Sequence, residues 1–177
     1  MVILVVVVLV VINIVIASAH FTTSEQSRIE VGTSASRLFS NLDGVIRQGS
    51  QVLSSVTISG TTYTTSSTTL VLAVPALVAG DITANSDTFV ITLDSSAHQL
   101  DQIISPYVDV NDSSNNSTRT AGTTILANDV NSLYFRYTTD DPVQSTNITV
   151  TMVTQRTIGG QPFNQKAIIH ATLHNHV

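Results

Sequence analysis

The chain begins Met1-Val-Ile-Leu-Val-Val-Val-Val-Leu-Val-Val-Ile-Asn-Ile-Val-Ile-Ala17, an apolar run whose one polar side chain is Asn13. As a helix, this run reaches roughly 25 Å, just under the ~30 Å thickness of bilayer hydrocarbon. No proline follows before Leu53, so nothing in the backbone chemistry interrupts a helix that starts in the run. The sequence therefore predicts one long helix from Met1 to about Leu53.

Three interpretations of the apolar run remain open at this stage. Ala17-Ser18-Ala19 resembles the cleavage site of a signal peptide, but the first basic residue is Arg28, so a positive n-region is lacking. A single-pass membrane anchor needs only the apolarity. The third interpretation is a segment that sits in a membrane before assembly and is later buried among copies of itself. In that case the expected assembly residues are Met1, Val5, Val8, Val11, Asn13 and Ile16.

From Glu25 onward the pattern becomes amphipathic. Apolar positions recur at spacings of 4 and 3, which is the period of one helix face; they are Val31, Ala35, Leu38, Leu42, Val45, Gly49 and Val52. A flanking column at Phe39, Ile46 and Leu53 widens this apolar face. On the polar face, Asp43 and Arg47 stand four residues apart in the favourable order. The pattern predicts that this half of the helix covers a sheet.

Composition excludes several functions. The net charge is −5 and the only lysine is Lys166, so the chain is a poor electrostatic match for nucleic acid. The chain has no cysteine, which excludes disulfides, thiolate zinc sites and thiol nucleophiles. The sequence also lacks a G-x-S-x-G elbow, a Walker lysine motif and G-x-G-x-x-G. We therefore predict a protein that is not an enzyme and that has no cofactor.

After Leu53 the hydrophobic period changes to two. Apolar residues alternate with others in five runs, at 70–74, 89–93, 133–137, 148–152 and 169–173. Such runs predict an antiparallel sheet with one apolar face, and Gly159-Gly160 predicts a hairpin between the last two. The expected fold class is α+β: residues 1–55 form the long helix, apolar over 1–23 and amphipathic over 24–53, and residues 56–177 form an antiparallel β head. The residues expected to pack helix against head are Leu38, Phe39, Leu42, Val45, Ile46, Phe135, Val150 and Ile169.

A long N-terminal helix, apolar first and amphipathic second, followed by an antiparallel sheet, resembles the type IV pilin and pseudopilin superfamily. The order of the last three strands, around Leu133, Ile148 and Ile169, is similar to that of pseudopilin heads. The resemblance implies a structural subunit of an extracellular, pilus-like helical filament, with apolar helix ends bundled on the axis. It also implies insertion in the cytoplasmic membrane before assembly, a pilus assembly machinery as partner, and methylation of the first residue.

The chain departs from the family pattern at its fifth position. Family members carry Glu there, whereas this chain has Val5, so the usual pairing of that carboxylate with a neighbour's terminal amine is in doubt. Two alternatives stay open beside the pilus subunit: a pseudopilin of a secretion-system pseudopilus, and a membrane-anchored β binding domain that stays monomeric.

Candidate binding and modification sites are few. His170, His174 and His176 have a spacing that suggests metal binding on a helix, but in a strand the first two stand about 13 Å apart, too far for one ion. Asp109, Asn111 and Asp112 lack the EF-hand glycine and glutamate positions. We therefore expect no metal site. Three N-glycosylation sequons fall in the most loop-like stretch and begin at Asn111, Asn115 and Asn116.

Overall fold

The structure is a computed structural model that describes residues 2–78, 81–158 and 161–173. It begins with helix α1 (Val2–Arg47). The strands that follow are β1 (Gln51–Val52), β2 (Ser55–Ile58), β3 (Thr61–Thr64), β4 (Thr69–Val78), β5 (Asp81–Asp94), β6 (Gln99–Ser105), β7 (Gly122–Ala127), β8 (Val130–Tyr137), β9 (Asn147–Ile158) and β10 (Gln161–Thr172). Apart from α1, the helices in the described ranges are two short 3-10 turns, Ser113–Asn115 and Pro142–Gln144.

Helix α1 ends earlier than the sequence pattern predicts. Beyond Arg47 the N–H of Gly49 donates to the carbonyl of Ile46 at 3.0 Å, and the chain then pairs with β4 as strand β1. Gly49 allows a close approach at this point, because a Cβ there would stand 3.0 Å from Leu173 Cδ2 and 3.3 Å from Leu72 Cδ2, so these side chains would have to shift. Val52, which the pattern places on the helix, is instead a fully buried residue of β1.

The described strands form three antiparallel sheets. The five-stranded sheet has the order β1-β4-β5-β6-β7, the three-stranded sheet has the order β10-β9-β8, and β2 and β3 form a separate hairpin. The predicted hairpin between the last two runs is confirmed, because β9 and β10 pair antiparallel from Gln161 and Ile158 onward. Strand β4 is buried on both faces over most of its length.

One hydrophobic core joins the two larger sheets. It takes Leu72 and Ile91 from the five-stranded sheet, Phe135 from the three-stranded sheet, and Leu42 from the end of α1. A backbone hydrogen bond also ties β8 to the bend that precedes β4, since the N–H of Phe135 donates to the Ser67 carbonyl at 2.7 Å. The inner faces of both sheets are therefore buried in one core that they share with the last turns of α1.

The predicted fold class is wrong. The sequence pattern predicts an α+β protein in which a long helix packs on a single head sheet, whereas the described chain is mostly β, with ten strands in three antiparallel sheets. Alternation shows that a strand has one buried face, but it does not show which element covers that face. Here a second sheet shares the core with the head strands and the end of α1, and Leu38 is the first residue of α1 in that core among the side chains that the structure describes.

Candidate functional site

The main candidate site is the exposed apolar part of α1. Val11 is 52% exposed, Ile14 is 62% exposed and Phe21 is 68% exposed, whereas Leu42 near the other end of the same helix is fully buried. Successive residues are 100° apart around a helix, so the run from Val10 to Ile16 presents apolar groups in every direction. A helix with no polar face needs an apolar environment on all sides.

The predicted assembly residues fall in this exposed segment as far as they are described. Val8, Val11 and Ile16 are each about half exposed, and Asn13 is exposed among them. Met1 and the side chain of Val5 lie outside the described part of the structure. Among the described residues, we find no helix with the length and apolar composition that crossing a membrane requires.

The residues predicted to join helix and head lie in one cluster. Five are buried core members, namely Leu38, Leu42, Ile46, Phe135 and Val150, and three are partly buried against that core, namely Phe39, Val45 and Ile169. Among the side chains of α1 that the structure describes, Leu38, which is 5% exposed, is the first that belongs to the core. About 36 helical residues precede Leu38, a rod of roughly 54 Å.

The metal candidates are not gathered into a site. Within residues 2–78, 81–158 and 161–173, no three His, Asp or Glu side chains lie close enough together to hold a metal ion. His170 lies on β10, where its Nδ1 is 3.0 Å from Thr149 Oγ1, and His174 and His176 fall outside the described residues. Asp109 and Asp112 accept hydrogen bonds from their own loop, and the Ser114 hydroxyl and N–H hold the pKa of Asp112 below its usual value.

The sequons differ in how their side chains are engaged. Asn111 and Ser113 are exposed, and within the described residues their own side chains make no hydrogen bond, although the Asn111 N–H donates to Asp109 Oδ1. The Asn115 amide donates to Asp112 Oδ2 at 3.2 Å, and Asn116 Oδ1 accepts from the Asp109 N–H at 2.7 Å. Of the three candidates, Asn111 is therefore the most accessible to a transferase.

Sequence reasoning missed a buried carboxylate on β5. Asp87 is fully buried and accepts from the Tyr107 N–H at 2.7 Å, from Ser117 Oγ at 2.9 Å, and from the Arg119 guanidinium. Arg119 also donates to the Pro75 carbonyl at 2.6 Å and stands 5.4 Å from the ring centroid of Phe89. Asp87 lies two residues before Phe89 and so shares its inward face, which is the signal that could have revealed it.

Beside this ion pair lies a groove of about 570 Å³ between the end of α1 and β5–β7. Phe89, Ile104 and Val45 supply its apolar lining, and Gln48 and Gln102 supply amides. Its one charged group is the guanidinium of Arg119, which is already paired with Asp87. The lining described here contains no general base and no nucleophile with an adjacent base, so the groove offers space but no catalytic group.

Comparisons with known proteins add no relative. No protein family, no curated protein and no solved structure matches the chain.

Proposed function

We propose that this chain is the structural subunit of an extracellular helical filament similar to a type IV pilus, and that it polymerises through its apolar N-terminal helix. The observation that carries the proposal is the exposure of the run from Val8 to Phe21 on a helix whose far end is built into a folded β core. The membrane is the expected site of the subunit before assembly, and the cell surface is the expected site of the filament.

Burial of this run supplies a large driving force. Each Val or Ile side chain moved from water into an apolar contact contributes about 1.5–3 kcal/mol, so the exposed residues Val10, Val11, Ile12, Ile14, Val15 and Ile16 together contribute on the order of 10 kcal/mol. If the run starts in lipid, its side chains have already left water, so the hydrophobic effect does not favour assembly. Packing between helices must then favour the filament. Either route makes copies of the same run suitable neighbours.

The length of the rod supports a bundle of helices. The part of α1 before Leu38, its first described core residue, reaches roughly 54 Å, well beyond the ~30 Å of bilayer hydrocarbon. In a filament the apolar ends converge on the axis and the β cores lie outside them. In such a bundle a helix of this length can pack alongside the helices of several neighbours, whereas a simple membrane anchor needs only the length that spans the hydrocarbon.

The test exchanges residues 2–16 for a leucine segment of equal length in the full chain. Lipid requires only apolarity and helix formation, but close helix packing depends on the shapes of the side chains. We expect the exchanged protein to be made at normal levels and to form no filaments under negative-stain microscopy. A matched control replaces exposed Thr57 on the β2–β3 hairpin by Ala and should leave filaments unchanged. Filaments of normal number and length from the leucine variant would refute the proposal.

A further inference from the structure

Charged side chains are segregated by sign between the two larger sheets. The described strands of the three-stranded sheet contain no Asp or Glu, and their basic side chains are Arg136, Arg156 and Lys166. The described strands of the five-stranded sheet contain no Lys or Arg, and the acidic residues of their sequence are Asp81, Asp87, Asp94 and Asp101. A chain with net charge −5 thus carries one wholly basic sheet.

The outward side of the three-stranded sheet combines positive charge with apolar surface. The strand register aligns Tyr134 with Ile168 across Thr151, and both of these side chains are 53% exposed. Arg136 and His170 flank this pair on one side and Lys166 flanks it on the other. We call Tyr134, Arg136, Lys166, Ile168 and His170 the basic face.

Among the residues that the structure describes, Arg136 and Lys166 of the basic face have no carboxylate partner. The ion pairs of this part of the chain include Asp43 with Arg47 and Asp87 with Arg119. Arg136 and Lys166 belong to neither pair, and both are exposed. Their charge is therefore available to a carboxylate on another molecule.

The outward side of the five-stranded sheet has the complementary character. Asp101 lies directly across from Ile125, which is 51% exposed, and Asp94 lies diagonally across from Asp101 on the same side. Partial burial, together with the negative charge of Asp94, raises the pKa of Asp101 above its usual value. A cation placed here would relieve the repulsion between the two carboxylates. We call Asp94, Asp101 and Ile125 the acidic face.

We propose that the basic face of one copy packs against the acidic face of the next copy. The inference rests on the proposed filament function, and it names the contact that the β cores make outside the helix bundle. The two faces lie on different sheets, so the contact is heterologous and leaves one free face of each kind at the ends of any chain of copies. Contacts of this kind that do not close into a ring generate a helical polymer.

In each contact the apolar residues of the two faces meet at the centre, and the charged residues of opposite sign meet around them. Tyr134 and Ile168 would cover Ile125, while Arg136 and Lys166 would face Asp94 and Asp101. Exposed ion pairs are individually weak and are screened by salt, so the contact should weaken as ionic strength rises. Held together by the helix bundle, many such contacts act at high effective concentration along the filament.

The test uses the absence of cysteine from the chain. In the full chain, Ile125→Cys and Ile168→Cys together place one thiol on each face, and a flexible bis-maleimide then bridges thiols that lie near each other. We expect a ladder of covalent multimers from dimer upward on denaturing gels, less of it at high salt, and no ladder from either single variant. The matched control combines Thr57→Cys, on the β2–β3 hairpin, with Ile168→Cys and should give no ladder.

Charge reversal in the same two-cysteine chain tests the pairing itself. Lys166→Glu places like charges together and should reduce the ladder roughly tenfold or more, and adding Asp101→Lys should restore it. Circular dichroism of each variant shows that the fold is kept. Should either variant fail to fold, the two-cysteine chain with its natural charges still decides whether the faces meet.

The outcomes separate this inference from the proposed function. Filaments in microscopy without a ladder overturn the sheet contact and leave the filament function standing. A ladder without filaments supports the contact and refutes the filament function, and the absence of both refutes both. A dimer from Ile168→Cys alone means that the basic face meets itself, and a bridge to a host protein means a different partner. Either of these two results overturns the inference.

Discussion

The packing of the end of α1 on the β core gives the sharpest stability prediction. Leu42 is fully buried in the core cluster, together with Ile46 and Leu38. Leu42→Ala removes the buried side chain and leaves a cavity, which costs about 2–5 kcal/mol depending on how far the site collapses. This is a large fraction of the roughly 5–15 kcal/mol by which folded domains are stable.

The assay is urea unfolding of a soluble fragment that begins at Ser24, which retains every residue of the described core. With a urea dependence of about 2 kcal/mol per molar, the unfolding midpoint should fall by roughly 1–2.5 M. The matched control is Ile29→Ala on the same helix, since Ile29 is 67% exposed. That change should alter the free energy of unfolding by no more than about 0.5 kcal/mol.

The comparison between the two variants decides the matter. If neither Leu42→Ala nor Ile29→Ala lowers the midpoint, the end of α1 does not belong to the core of the subunit, and its apolar face belongs to another molecule. An equal loss in both variants would mean that helix stability alone, and not burial against the sheets, sets the stability of the fragment.

Two further predictions concern buried polar groups. Asp87→Ala leaves the guanidinium of Arg119 without its buried partner and should lower the free energy of unfolding in urea by about 3–5 kcal/mol. The control Asp141→Ala, at an exposed position, should lower it by at most about 1 kcal/mol. Equal losses would contradict a stabilising role of the buried Asp87–Arg119 ion pair. Burial raises the pKa of Tyr137, so above pH about 10 the folded state keeps a proton that the unfolded state releases. The free energy of unfolding should therefore be unaffected by this group below pH about 10 and should decline above it. Tyr137→Phe should flatten that decline between about pH 9 and 11. At neutral pH the same change should cost about 1 kcal/mol, because the hydrogen bond from the Tyr137 hydroxyl to the Ser66 carbonyl is lost. An unchanged dependence of stability on pH would show that Tyr137 does not cause the decline.

Several parts of the β region could be predicted from local pattern alone. The run 70–74 lies within β4, and the run 148–152 lies within β9, because alternation follows from the pleat of each strand and needs no knowledge of its partners. The hairpin between β9 and β10 was also predictable, since Gly159-Gly160 separates two alternating runs. The run 133–137 likewise lies in β8, with Phe135 facing inward as expected.

The candidate sites divide in the same way. Apolarity of the segment around Val8 to Ile16 is a property of composition, so the sequence could nominate it as an assembly surface without a structure. The pairing of Asp87 with Arg119 joins residues from β5 and a distant loop, and no local pattern brings them together. The basic and acidic faces likewise depend on strand register, because only pairing aligns Tyr134 with Ile168 across Thr151 and sets Asp101 opposite Ile125.

The sequence by itself determined where the chain is apolar, where its period is two, and which chemistries its composition excludes, because these properties belong to single segments. Only the tertiary structure decided that two sheets share the core and that α1 ends at Arg47 and is followed by β1. It also decided that basic and acidic residues lie on different sheets. The physical reason is that burial and pairing are relations between distant segments. An alternating pattern predicts that one face of a strand is buried. Which element packs on that face depends on the free energy of the whole fold.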